Sequence, residues 1–150
     1  MNYTTMQIED AILAALAPLS VSSGGAARTL ASYDGQFEDA AAGKDQFTIV
    51  FPAALAAFLG SDFDARSAPT FTRTMRFGVF CASSNLGSQL SRRRDAYTLL
   101  DASRALLNHN TLGLAISPLL IERESAVLST RSVTVFCAEY ILSARDDAAF

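Results

Sequence analysis

The side chains able to do chemistry are few and scattered. His109 is the only histidine and Cys81 and Cys137 the only cysteines, which is short of the four ligands of a structural zinc site. A histidine-rich metal site is excluded, and His109, just past a helical stretch, reads as a partner for a helix C-terminus. Gly87-Ser88 lacks the far-side glycine of a nucleophile elbow. Gly24-Gly25 is a connector without the lysine of a phosphate loop. Acidic pairs stand at Glu9/Asp10, Glu38/Asp39, Asp62/Asp64 and Asp146/Asp147. Each falls at a helix start, in a loop or at a terminus, where solvation accounts for it, and Asp62/Asp64 is the pair also weighed as a cation site. With no nucleophile and base to pair, the expectation is a protein that is not an enzyme and carries no cofactor.

The most informative charged feature is Arg92-Arg93-Arg94. Three cations in the first turn of a helix oppose its dipole, at a cost of about 0.3–1 kcal/mol each when exposed and unpaired. Asp95 offsets part of that. One reading is a solvated segment not yet helical. The other is that the arginines meet carboxylates of a partner chain or a phosphate backbone. A formal charge of −3 favours a protein partner over nucleic acid.

These residues are positioned by one clear helix, read over Ser91–Asn108 with Ser91 as the preferred cap. Ala96, Leu99, Leu100, Ser103, Leu106 and Leu107 recur on one face, and Arg94, Asp101 and Arg104 on the other. Each buried leucine contributes roughly 1.5–3 kcal/mol, so this helix must lie on a sheet. A first helix is predicted over Thr5–Leu16, capped by Thr4 or Thr5, with Glu9 and Asp10 at its positive end. Ile8, Ala11, Ile12, Ala15 and Leu16 line its apolar face, and Pro18 ends it. Ser20–Gly25 reads as a flexible connector.

Arg28–Tyr33 alternates as a strand and Asp34-Gly35 is a turn. Phe37–Lys44 could form about two helical turns. Ala53–Leu59 follows Pro52 and reads as a buried strand, although its alanines leave a helix open. Ser61–Thr70 has loop composition. Phe71–Ala82 is the best strand, with Phe71, Met75, Phe77, Val79 and Cys81 inward and Arg73 interrupting them. Ser83–Gln89 is a loop, Leu114–Arg123 a short apolar run broken by Pro118, and Glu122–Glu124 a solvated stretch. Ser132–Leu142 is apolar on both faces and reads as a central strand, followed by a polar tail over Ala144–Phe150. The sum is an α+β domain: a mainly antiparallel sheet with two helices packed on one face.

Composition sets the remaining bounds. A chain of 150 residues suits a single domain. Half of it is hydrophobic, at 50%, and its mean hydropathy is +0.22, so apolar surface is expected to remain for an interface. Phe51, Phe58, Phe63 and Phe71 mark the place to look, with Phe58 and Phe71 the better candidates for core. No apolar run is long enough for a membrane span, and MNYTTMQIED lacks the pattern of an export signal. A protein made in the cytosol is expected to keep its two thiols buried and free, although neighbouring strands could pair them.

Several segments, taken together, resemble the small tail-region proteins of Mu-like phages and prophages. They are IEDAILAAL (Ile8–Leu16), RTLASYDGQFED (Arg28–Asp39), FPAALAAFLGS (Phe51–Ser61) and RRRDAYTLLDASRALLNHNTLG (Arg92–Gly113). Their order covers nearly the whole chain, so residues 1–150 are expected to be one domain. Proteins of this kind look like tail terminators, also called tail completion proteins, of long-tailed phages. The resemblance implies a virion protein, assembled in the host cytoplasm, that forms a homo-oligomeric, hexameric ring on the head-proximal end of the tail. Its implied partners are the tail tube protein and a head-side connector, with genomic DNA passing through the lumen without specific binding and no membrane involved. Candidate subunit or tube contacts are Arg92, Arg93 and Arg94, together with Asp62, Phe63, Asp64 and Arg66 of the Ser61–Thr70 loop. The alternative within virion structure is a head-completion or neck adaptor protein. A small hydrolase is disfavoured by the missing catalytic set, and a nucleic-acid regulator by the net charge.

Overall fold

The computed structural model describes residues 2–37, 49–64, 70–84 and 88–147. Helix α1 spans Thr5–Ala15 and starts with a capping box. The Thr4 hydroxyl accepts from the Gln7 amide at 3.1 Å, and the Gln7 side-chain oxygen accepts from the Thr4 amide at 2.8 Å. No acidic residue lies in its first turn; Glu9, expected to answer the helix dipole, accepts instead from the Ser32 hydroxyl. Two short 3-10 turns, Ala17–Leu19 and Val21–Ser23, follow the helix.

The expected flexible connector is thus built into the fold, since Ser20 bridges Ala27. Gly24 there adopts φ 87°, and a Cβ on Gly25 would stand 2.2 Å from the Leu19 carbonyl oxygen. Both positions demand glycine, one for its backbone and one for space.

Five strands form a single sheet in the order β1-β2-β3-β5-β4. They are β1 (Thr29–Ser32), β2 (Ala53–Asp64), β3 (Thr70–Ser84), β4 (Leu120–Ser129) and β5 (Val133–Asp147). β1 runs parallel to β2 and the other pairings are antiparallel. The long pair is β3 with β5, in unbroken register from Thr70↔Asp147 to Ser84↔Val133. Helix α2 (Gln89–Leu107) and α1 share one face of the sheet. The architecture is α+β, with a mainly antiparallel sheet and both helices on one side.

Several boundaries differ from the expected ones, each for a physical reason. β2 does begin at Ala53 as expected, and its alanines form strand rather than helix because Ala53–Ala56 are buried on both faces, where tertiary packing overrides their helical propensity. Ser61–Thr70 is not one loop: β2 continues to Asp64 past a bulge at Phe58/Gly60, and β3 starts at Thr70. Arg73 is tolerated on the inward face because its guanidinium donates to the Tyr3 carbonyl. Ser88 rather than Ser91 caps α2, accepting from the Ser91 amide at 3.0 Å. Glu122, Arg123 and Glu124 lie inside β4, an edge strand wet on most of its length, where charges are welcome. The polar tail from Ala144 pairs with β3 as far as Asp147. The helix expected over Phe37–Lys44 falls, beyond Phe37, outside the described residues.

The helix-facing core joins Ile8, Ile12 and Leu16 of α1 and Leu99 and Leu107 of α2 to the sheet. Met75, Phe77, Val79, Cys81, Tyr140 and Leu142 meet them, all at 1% exposure or less. A smaller cluster covers the other face at one end only, with Phe37, Leu55, Ala82, Val133 and Val135 at its centre. There Tyr33 stacks on Phe80 at 4.8 Å. Leu99→Ala is expected to destabilise the fold by about 2–5 kcal/mol, read as a lower urea midpoint with an unchanged slope.

Cys81 and Cys137 are buried free thiols. Burial pushes Cys81 up to about 12 and Cys137 up to about 11. A group protonated more tightly in the folded state stabilises it below its unfolded value and loses that contribution as pH rises through the folded value. Stability is therefore expected to hold to about pH 9 and then fall as the medium turns more alkaline. A thiol reagent at neutral pH is expected to label neither cysteine until the protein is unfolded.

Candidate subunit interface

The sheet has two unlike ends. At one end lie the β4–β5 turn, the C-terminal end of β3 and the start of α2. At the other lie Asp64, Thr70 and the last residues of β5. β3 alone, with 15 residues, separates them by about 50 Å at the usual rise per residue.

The far end carries the residues expected in the Ser61–Thr70 segment. Asp62, Phe63 and Asp64 pair with Thr74, Arg73 and Thr72 across the β2–β3 hairpin. Phe63 is 64% exposed, and Phe58 and Leu59 beside it are 40% and 43% exposed. Phe63 meets Phe71 edge-on at 5.7 Å between ring centres. The apolar patch thus lies near the expected place, but Phe58 is part of it and Phe51 packs instead against the second core cluster. Successive side chains of a strand point to opposite faces, so Phe63 leaves one face and Asp62 and Asp64 the other. β1 pairs with β2 only as far as Ala56. Among the described residues, the stretch Ala57–Asp64 is an open edge. Arg66 lies outside the described residues.

At the near end the three arginines separate. Arg92 is buried at 6% exposure and donates to the Thr130 carbonyl at 3.3 Å, beneath the β4–β5 turn. It works inside the subunit. Arg93 donates to the Tyr97 hydroxyl at 3.0 Å, one helical turn on, and its guanidinium lies 5.3 Å from the centre of the Phe136 ring. Arg94 is exposed. The helical spacing of 100° per residue sends three neighbours in three directions.

Between α2 and β4 runs a groove that sequence reasoning missed. Tyr97, Leu100 and Phe136 supply its apolar floor, and Asp101 and Glu124 its far rim. Arg104 donates to both carboxylates, to Asp101 at 2.7 Å and to Glu124 at closer range. Those hydrogen bonds, Glu124 first, raise Arg104 above its ordinary value. Arg104 thereby offsets one of the two charges of the far rim, and Arg93 and the positive end of α2 supply positive charge at the near mouth. A signal existed in the sequence, for Arg93 and Tyr97 stand at i, i+4 on the polar face. What covers Phe136 could be learned only from the fold.

The open face of the sheet carries paired charges. Arg76 meets Glu122 at 2.7 Å and Arg123 meets Glu139 at 2.8 Å. Among the described residues, no group of three or more His, Cys, Asp or Glu gathers as a metal site would require. No helix of the described residues is long and apolar enough to cross a membrane. His109 sits just past α2 with φ 66°, and its backbone amide donates to the Leu119 carbonyl at 2.7 Å.

Comparison with known proteins gives one family and one fold. No curated protein matches the chain. Among matching chains of solved structures is one from a structure described as "Virion of native gene transfer agent (GTA) particle". It is 13% identical, with a TM-score of 0.63, over 97% of this chain and 100% of that one. At that identity the likeness speaks for the fold alone. The family model described as "Bacteriophage Mu, Gp37" matches residues 4–143, from the cap of α1 to deep in β5, and the chain therefore belongs to the bacteriophage Mu Gp37 family.

Proposed function

We propose that the protein is a structural subunit of a phage-type virion, and more narrowly a tail terminator. The observation that carries the reading is the family match over residues 4–143, which runs from α1 into β5. Support comes from the fold shared with a chain of a gene transfer agent virion and from the resemblance of the quoted segments to tail terminators. In this reading residues 1–150 act as one domain. Copies close into a ring, hexameric as in the terminators it resembles, on the head-proximal end of the tail tube. The ring stops tube growth, presents a surface to the head-side connector and lets DNA pass without binding it specifically.

The physical design suits that role. Subunits that join head to tail need two different surfaces, and they close a ring when the rotation between them closes. The exposed aromatic hairpin end and the cationic mouth of the α2 groove are two such surfaces, set on one continuous sheet. Arg93, Arg94, Asp62, Phe63, Asp64 and Arg66 remain the proposed subunit or tube contacts, whereas Arg92 holds the β4–β5 turn.

Electron microscopy of the protein with purified tail tubes is expected to show a ring at one tube end, and tails purified without heads should carry it. Tails lacking the protein, with the protein bound only to heads, would overturn the terminator in favour of a neck adaptor. Reversing charge at Arg93 and Arg94 together should reduce assembly at a cost of about 1 kcal/mol of stability from the lost cation–π contact, whereas Arg92→Ala should cost about 1–3 kcal/mol by stripping a buried hydrogen bond.

A further inference from the structure

The geometry points to the occupant of the α2–β4 groove: it is the β2–β3 hairpin end of a second copy of this chain. The inference rests on the ring-forming reading above and assigns its lateral contact. The hairpin end presents one exposed aromatic, Phe63, flanked by two carboxylates, Asp62 and Asp64. The groove presents an apolar floor of Tyr97, Leu100 and Phe136, with the Arg93 guanidinium over two of its rings and Arg94 exposed at the next helix position. An apolar anchor entering an apolar floor with opposite charges at the rim is the usual arrangement of a specific interface.

Strand geometry makes the match possible. Phe63 and the two aspartates leave opposite faces of an edge strand, so a cleft that clasps the edge meets both at once. Phe63 then lies against Tyr97 and Phe136, whose rings already stand 5.3 Å apart, and the carboxylates face the arginines. Repulsion from the far rim is reduced, because Arg104 bonds both Asp101 and Glu124 and offsets one of their two charges. Within one chain the two surfaces stay apart on the rigid sheet, since Phe63 is level with Arg73 and Phe136 with Cys81, roughly 26 Å along β3. The contact is therefore between copies, and it joins unlike surfaces, as ring closure requires.

The test is a charge exchange read by sedimentation in solution and by occupancy on purified tails. Asp62→Arg with Asp64→Arg, and separately Arg93→Asp with Arg94→Asp, are each expected to weaken self-association by roughly tenfold or more. A chain carrying all four changes is expected to recover it, which a mere folding defect would not do. In parallel, a chain with Phe63→Cys and Tyr97→Cys should give a ladder of disulfide-linked multimers on oxidation, the two native thiols being buried. Normal oligomers with no ladder, or a four-fold variant no better than either half, would overturn this contact and leave the terminator reading standing. Linkage of Tyr97→Cys to the tube protein would overturn it in favour of that occupant. A monomer both in solution and on tails would overturn the ring itself.

Discussion

The pairing of β3 with β5 is the interaction on which the rest of the structure depends. It runs without a bulge from Thr70↔Asp147 to Ser84↔Val133, whereas β2 and β4 each join it through irregular registers. Because side chains alternate, that unbroken register delivers Met75, Phe77, Val79 and Cys81 to one face together with Leu142, Tyr140, Ala138 and Phe136. This is the apolar platform on which α1 and α2 rest. A slip of one residue in either strand would turn its whole apolar set to the opposite face.

The platform is longer than what covers it. Its near end is packed on both faces, by the helices on one side and by Phe37, Tyr33 and Phe51 on the other. At its far end Phe58, Leu59 and Phe63 have no such cover among the described residues. A rigid sheet that outruns its own core places apolar side chains where they gain most from a neighbouring molecule. The opposite surface, with its groove and cationic mouth, is a different kind of partner on the same rigid body. Two unlike surfaces fixed at a set distance are what assembly by head-to-tail contact calls for.

The arginine run shows how far residue types alone can carry an argument. Composition and charge pointed away from an active site and toward contact surfaces, and the reading of Arg92–Arg94 as one cluster was natural. The helix divides it. Arg92 completes a turn from within, Arg93 stacks on aromatic rings, and Arg94 faces water. The groove beside Arg93 was invisible for a related reason: Tyr97 and Phe136 are far apart in the chain and meet only when α2 lies across β5.

What the sequence determined by itself was local and periodic. The α2 face, the β3 alternation, the interior character of β5 and the buried thiols all follow from side-chain spacing and hydrophobicity, which act within a few residues. The resemblance of the quoted segments reached the family. Tertiary structure decided the rest, because it depends on neighbours remote in the chain. It made strand of the alanine-rich β2, placed the charged Glu122–Glu124 on a wet sheet edge, and extended β2 through Asp64 and β5 through Asp147. In each case the local composition suits more than one conformation, and pairing with a distant strand chooses between them by satisfying the backbone hydrogen bonds.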